Sequence, residues 1–173
     1  KPWNPGTELT VGLFSSVVPE FDERAFREAL VNAFGHRDYS LLGRVRVLVD
    51  DAGLTIANPG GFVEGINVHN LLTAEPRGRN PCLMDALKRT GLAERTGRGI
   101  DRALNYGRPL PDYSRSNRRG VSVLLPRSVP DKAFVELLAE ERERSGKSMS
   151  LDGLLILDKL KSERRCGFDV LSG

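Results

Sequence analysis

Apolar positions along the chain switch between two periods, and the switches lay out its elements. Phe26, Ala29, Leu30 and Ala33 fall at helical spacing, which predicts a helix over 22–35 opened by Asp22 as N-cap. After the turn HRDYSLLG, residues 43–51 alternate, with Val45, Val47 and Val49 on one side. An Asp-Ala-Gly turn and the run LTIANPGG follow, so the pair predicts a β-hairpin. Residues 61–80 read as a long loop with a short helical piece at VHNLLT, a length usually associated with function or motion. Helices are expected at 81–90, with Asn80 as cap and Pro81 in its first turn, and at 98–106. GVSVLLP (120–126) predicts one more strand. Residues 1–20 are Pro/Gly-rich, then apolar, and predict a lead-in with one short strand and Trp3 as its anchor. Beyond Pro126 and Pro130, a charged amphipathic helix over 130–144 carries Phe134, Leu137 and Leu138 on its apolar stripe. A final helix starts at Leu151 with Ser150 as cap; Leu151, Leu154, Leu155, Ile156, Leu157 and Leu160 suit burial.

Composition narrows the class. A chain of 173 residues, 39% hydrophobic and 28% charged, suits one ordinary domain plus an appendage. No run approaches the roughly 18 apolar residues of a membrane span, and the first residues lack the pattern of a signal peptide. The sequence opens on Lys1, which leads us to expect a native start further upstream. Cys82 and Cys166 lie far apart and the two histidines cluster with neither, so we expect no disulfide framework, no zinc site and a cytoplasmic setting. The net charge is +3, with arginines at 77, 79, 89, 95, 98, 102, 108, 115, 118 and 119. Such a set suits phosphate groups on a nucleotide or on DNA, and equally a solvated surface.

Three local patterns carry candidate chemistry. Glu28 and Asn32 stand one helical turn apart and are expected to project together, away from Phe26, Leu30 and Ala33. The carboxylate can orient or deprotonate water, and the amide oxygen can ligate Mg²⁺. Such pairs are also common on helix surfaces. Asn58-Pro59-Gly60-Gly61 ends a strand, where Gly60 allows close backbone approach and Asn58 could meet a base edge; it reads equally as a turn. Thr96-Gly97-Arg98-Gly99-Ile100 opens a helix, a place for an anion or merely a helix–helix connection. Two tempting motifs fail. His36-Arg37-Asp38 has Gly43 where a kinase catalytic loop needs Asn, and Ser145-Gly146-Lys147-Ser148 has Glu141 where a Walker A loop needs Gly. His36 is expected to brace the turn after its helix.

The order of these patterns, a helix with Glu and Asn, a strand ending in a base-binding turn, a lid and a glycine-rich helix start, is that of the GHKL ATPases. REALVNAFGHRDYS (27–40), IANPGGFVEGI (56–66), the stretch 77–104 with its RNP, and GVSVLLP together resemble the C-terminal domain of RecG-related helicases and regulators. The resemblance implies an α+β fold, a Bergerat-like sandwich with helices packed on one mixed sheet, and a C-terminal helical, winged-helix-like fragment. It implies residues 1–127 as the nucleotide-binding domain with its lead-in, 128–149 as a helical linker and 150–173 as part of a winged helix-turn-helix. Glu28 takes the catalytic position, and Asn32 would hold Mg²⁺ through the nucleotide. Asn58, Gly60, Arg79, Asn80, Gly97 and Gly99 complete the cofactor site.

Two departures stand out. Asn58 replaces the usual Asp, so the base contact is neutral, and the glycine-rich stretch is short. The resemblance therefore implies an ATP- and Mg²⁺-binding regulatory module, with weak ATPase activity left open and no helicase motor. DNA would meet its C-terminal or basic segments, and a homodimer fits as partner. The alternative is a scaffold without nucleotide, serving DNA binding or dimerisation.

Overall fold

The computed structural model describes residues 3–11, 14–71, 78–93 and 107–163. They form two compact units. One comprises 1–20, 100–109 and 128–173, the other 21–99 and 110–127.

The second unit holds the candidate site. Helix α1 spans Glu23–His36, and Asp22 caps it as expected, its Oδ1 accepting from the amides of Arg24 and Ala25 at 2.9 Å each. Two further strands, Arg46–Val49 and Gly53–Pro59, form the predicted hairpin. Its turn is closed by Asp50, whose side chain accepts from the amides of Ala52 and Gly53. Residues Gly120–Pro126 add another strand antiparallel to 53–59, so the hairpin's second strand lies at the centre of three. Leu54 and Ile56 of the central strand and Val123 and Leu125 of its neighbour share one face and meet Ala29 and Ala33 of α1, with Phe21 closing the core. Small residues on the helix let it approach the sheet closely. Helix α2, Pro81–Arg89, follows.

The other unit corrects the lead-in. Gly6–Val11 and Phe14–Pro19 form an antiparallel hairpin rather than one short strand. Polar cross-strand bonds support it, with Ser15 donating to Glu8 at 2.7 Å and Thr10 to Ser15 at 3.3 Å. In chain order the strands are thus β1 (6–11), β2 (14–19), β3 (46–49), β4 (53–59) and β5 (120–126). Helix α3, Lys132–Ser145, is capped by Asp131 and ends on Gly146 in the left-handed region; α4, Leu151–Glu163, is capped by Ser150. Of the apolar set on α4 only Leu154 is buried, because six such residues in ten positions encircle a helix instead of sharing a stripe.

Three other expectations change. Pairings between named strands are antiparallel throughout the described residues, in two sheets rather than one mixed sheet. Every residue of β3 is exposed, since it is the edge strand and α1 covers its neighbours. VHNLLT forms a turn up to Leu71 rather than a helical piece; Asn67 accepts from the amides of His69 and Asn70 and pins it. The expected helix over 98–106 lies outside the described residues.

Candidate functional site

A cavity of about 120 Å³ lies between α1 and the β4–β5 pair. Ala29, Asn32, Ala33 and His36 line it from the helix, and Ile56, Asn58, Val121 and Val123 from the strands. These helical positions follow one another at three, one and three residues, so they form a single stripe. Asn32 therefore shares the inward face with Ala33, contrary to the expectation that it projects away from it. Phe62, Val63, Ile66 and Leu71 of the next loop also line the cavity, as does Tyr113. The walls are mostly apolar, with two carboxamides and an imidazole among them. That is the composition of a small-molecule pocket, although the volume is well below the roughly 300–1,000 Å³ typical of a whole ligand.

Asn58 is 6% exposed and donates from Nδ2 to the carbonyl of Pro59 at 3.2 Å. Its Oδ1 thereby remains as the acceptor, the role a base-binding carboxylate would take. Glu28 acts on Tyr113. Burial first, and then the Glu28 charge, push the tyrosine hydroxyl up to about 12, so it stays a neutral donor. Phe62 packs on the same ring, with centroids 6.3 Å apart. Neither Tyr113 nor Phe62 was singled out from the sequence, since Tyr113 lies outside the motifs and Phe62 carries no polar chemistry of its own. His36 could have been found from its spacing to Asn32.

The RNP residues have definite partners. Arg79 forms a salt bridge to Asp38 at 2.7 Å and donates to the carbonyl of Gly61 at 2.9 Å. The Asp38 amide in turn donates to the Pro59 carbonyl at 2.8 Å. Asn80 occupies the N-cap position of α2, but its side chain makes no cap bond. It instead donates to the carbonyls of Gly35 and Arg37, at 2.9 and 2.7 Å. Those carbonyls end α1 without helical partners, so Asn80 closes one helix from the start of another. Met84 packs where a side chain on Gly35 would be, which explains glycine there. HRD, NPGG and RNP are thus one hydrogen-bonded assembly beside the cavity. Gly60 sits inside it with φ of 93°. Gly97 and Gly99 lie outside the described residues.

Burial, and then the positive charge of Arg79, hold His36 below its usual 6.5. Its folded form binds a proton less readily than its unfolded form, so stability falls as pH drops below about 6.5 towards the lowered value. We expect the melting temperature to decline between pH 7.5 and 5.5, and His36→Gln to flatten that decline. Asp38, also held low, mainly by its bonds from Ser40, titrates in a more acidic window. An equal decline in the variant would assign the effect to other groups.

The donor set limits any metal. Among the described residues no group of three or more His, Cys, Asp and Glu could hold one. A Mg²⁺ ion would there need oxygen ligands from outside that set, such as the phosphates of a nucleotide. No helix among the described residues is long and apolar enough to cross a membrane.

No curated protein matches the sequence. The fold is similar to the crystal structure of the DIP2311 protein from Corynebacterium diphtheriae, with a TM-score of 0.80 and 26% identity. The match covers 96% of this chain and 35% of that one, so the chain spans about a third of that protein's length. Residues 43–124 match the family model described as "Putative ATP-dependent DNA helicase recG C-terminal". The match takes in Asn58, Gly60, Arg79 and Asn80 and begins after α1, which carries Glu28 and Asn32. Residues 43–124, a little under half of the chain, are thus similar to that RecG C-terminal family, on the α+β, GHKL-like framework the motifs pointed to.

Proposed function

We propose that this domain is a regulatory nucleotide-binding module of a cytoplasmic, RecG-related DNA-binding protein, and not a helicase motor. One observation carries the reading: Asn32 and Asn58, from two separate motifs, line the same apolar cavity. Asn58 Oδ1 would accept from a purine amino group, with Val121, Val123 and Ile56 as the apolar surroundings. The cavity suits the base, and the sugar and phosphates would extend towards Asn32. Bound ATP with Mg²⁺ supplies an electrophilic γ-phosphate and charge neutralisation. Glu28 is the residue we assign to hold a proton from an attacking water, should turnover occur. Occupancy would bias the order of the 61–80 loop and, through it, oligomeric state and DNA affinity. We assign α4 to the first helix of a DNA-reading unit.

The test is a titration with ATP, with and without Mg²⁺, followed by calorimetry and thermal shift. We expect Mg²⁺-dependent micromolar binding, weakened at least about tenfold in Asn32→Ala, as loss of one good polar contact implies. Glu28→Ala should retain binding and lose any hydrolysis. Absence of binding up to millimolar nucleotide overturns the proposal. A second reading would then hold, a GHKL-like scaffold for DNA binding or dimerisation. What favours it is the small cavity and the engagement of Arg79 and Asn80 in bonds within the protein.

A further inference from the structure

The sheet of the second unit has two faces, and only one is used by the cavity. Leu54, Ile56, Val123 and Leu125 point towards α1. Strand alternation places Arg46, Ala57 and Ser122, which are register partners across β3, β4 and β5, on the opposite face. There a shallow groove of about 580 Å³ is bordered by Arg44, Arg46, Arg115 and Arg119, and at the strand ends it reaches Asn58 and Val121, which also line the cavity. All four arginines are exposed, and no Asp, Glu or Lys lines the groove. Among the described residues none of the four forms a salt bridge. Two come from the segment around β3 and two from the loop before β5, 69 positions or more apart in sequence. A surface that gathers four guanidinium groups from separate segments carries a focused positive potential, which the Asp112 carboxylate near Arg115 offsets only in part.

We infer that this groove binds the phosphodiester backbone of double-stranded DNA, independently of any nucleotide in the cavity behind it. Guanidinium forks match phosphate oxygens in pairs, and phosphate contacts account for the larger part of protein–DNA hydrogen bonds. Asn117 and Ser122 add polar side chains along the floor. Single strands are normally held by aromatic side chains under the bases, and no aromatic residue lines this groove. A peptide would seek closed apolar pockets, which a shallow, arginine-rimmed face does not offer. Contact with the backbone alone gives binding with little dependence on base sequence.

The experiment is fluorescence anisotropy of the intact chain with labelled 25-base-pair duplexes of two unrelated sequences, over about 50 to 200 mM salt. Neutralising four phosphates predicts a slope of log affinity against log salt near −3.6, about a hundredfold loss across that range. Arg44→Gln, Arg46→Gln, Arg115→Gln and Arg119→Gln combined should abolish binding while leaving melting temperature and any ATP affinity unchanged. A control variant with Lys88→Gln, Arg89→Gln, Arg142→Gln and Arg144→Gln removes equal charge from exposed helix positions and should bind like the parent. The inference is overturned if the parent does not bind at low salt, or if the two variants lose affinity equally. It is also overturned if a single strand of the same length binds more tightly than duplex, or if polyglutamate competes as well as DNA.

Discussion

Gly60→Ala should lower the unfolding free energy by about 2–4 kcal/mol, whereas Gly65→Ala should cost only about 1. Both glycines have positive φ, 93° and 83°, so both substitutions pay for a backbone conformation that side chains disfavour. They differ in surroundings. A Cβ on Gly60 would stand 2.6 Å from the Asp38 Cβ and 3.1 Å from the Arg79 Nη1, while one on Gly65 meets nothing within 4 Å. Asp38 has little room to retreat, because its amide is bonded to Pro59 and its carboxylate to Arg79 and Ser40. The clash therefore adds an overpacking cost of about 1–3 kcal/mol that Gly65 escapes. Urea denaturation reads the difference as a shift in midpoint at constant slope. Equal shifts for the two variants would show that HRD, NPGG and RNP do not form one assembly.

Leu54→Ala should destabilise by about 2–5 kcal/mol, and Leu48→Ala by no more than about 0.5. The two leucines lie on adjacent strands of one hairpin and are equally apolar. Leu54 is 1% exposed between α1 and the sheet, so truncation leaves a cavity in a core its neighbours only partly fill. Leu48 is 57% exposed on the edge strand and loses few contacts. The same denaturation measurement separates them. Comparable losses would mean that β3 is covered on a face left open here.

These contrasts mark the line between local and long-range information. Asp22 as a cap, the helix behind it, the 46–59 hairpin and the 120–126 strand depend on neighbours within a few residues, and the sequence alone determined them. The order of its motifs likewise pointed to the RecG-related family whose model residues 43–124 match. Tertiary structure decided which periodic faces were buried. β3 alternates like a half-buried strand yet lies open, because burial depends on what packs against a strand and not on its own pattern. It also decided the partners of polar groups. Arg79 meets Asp38 across 41 positions, and Asn80 turns from capping its own helix to closing α1. Likewise Tyr113 reaches the cavity, and arginines around 44 and 117 gather on one sheet face. No local pattern encodes such meetings, since they arise only when the chain closes on itself and each buried donor finds whichever acceptor the packing brings near.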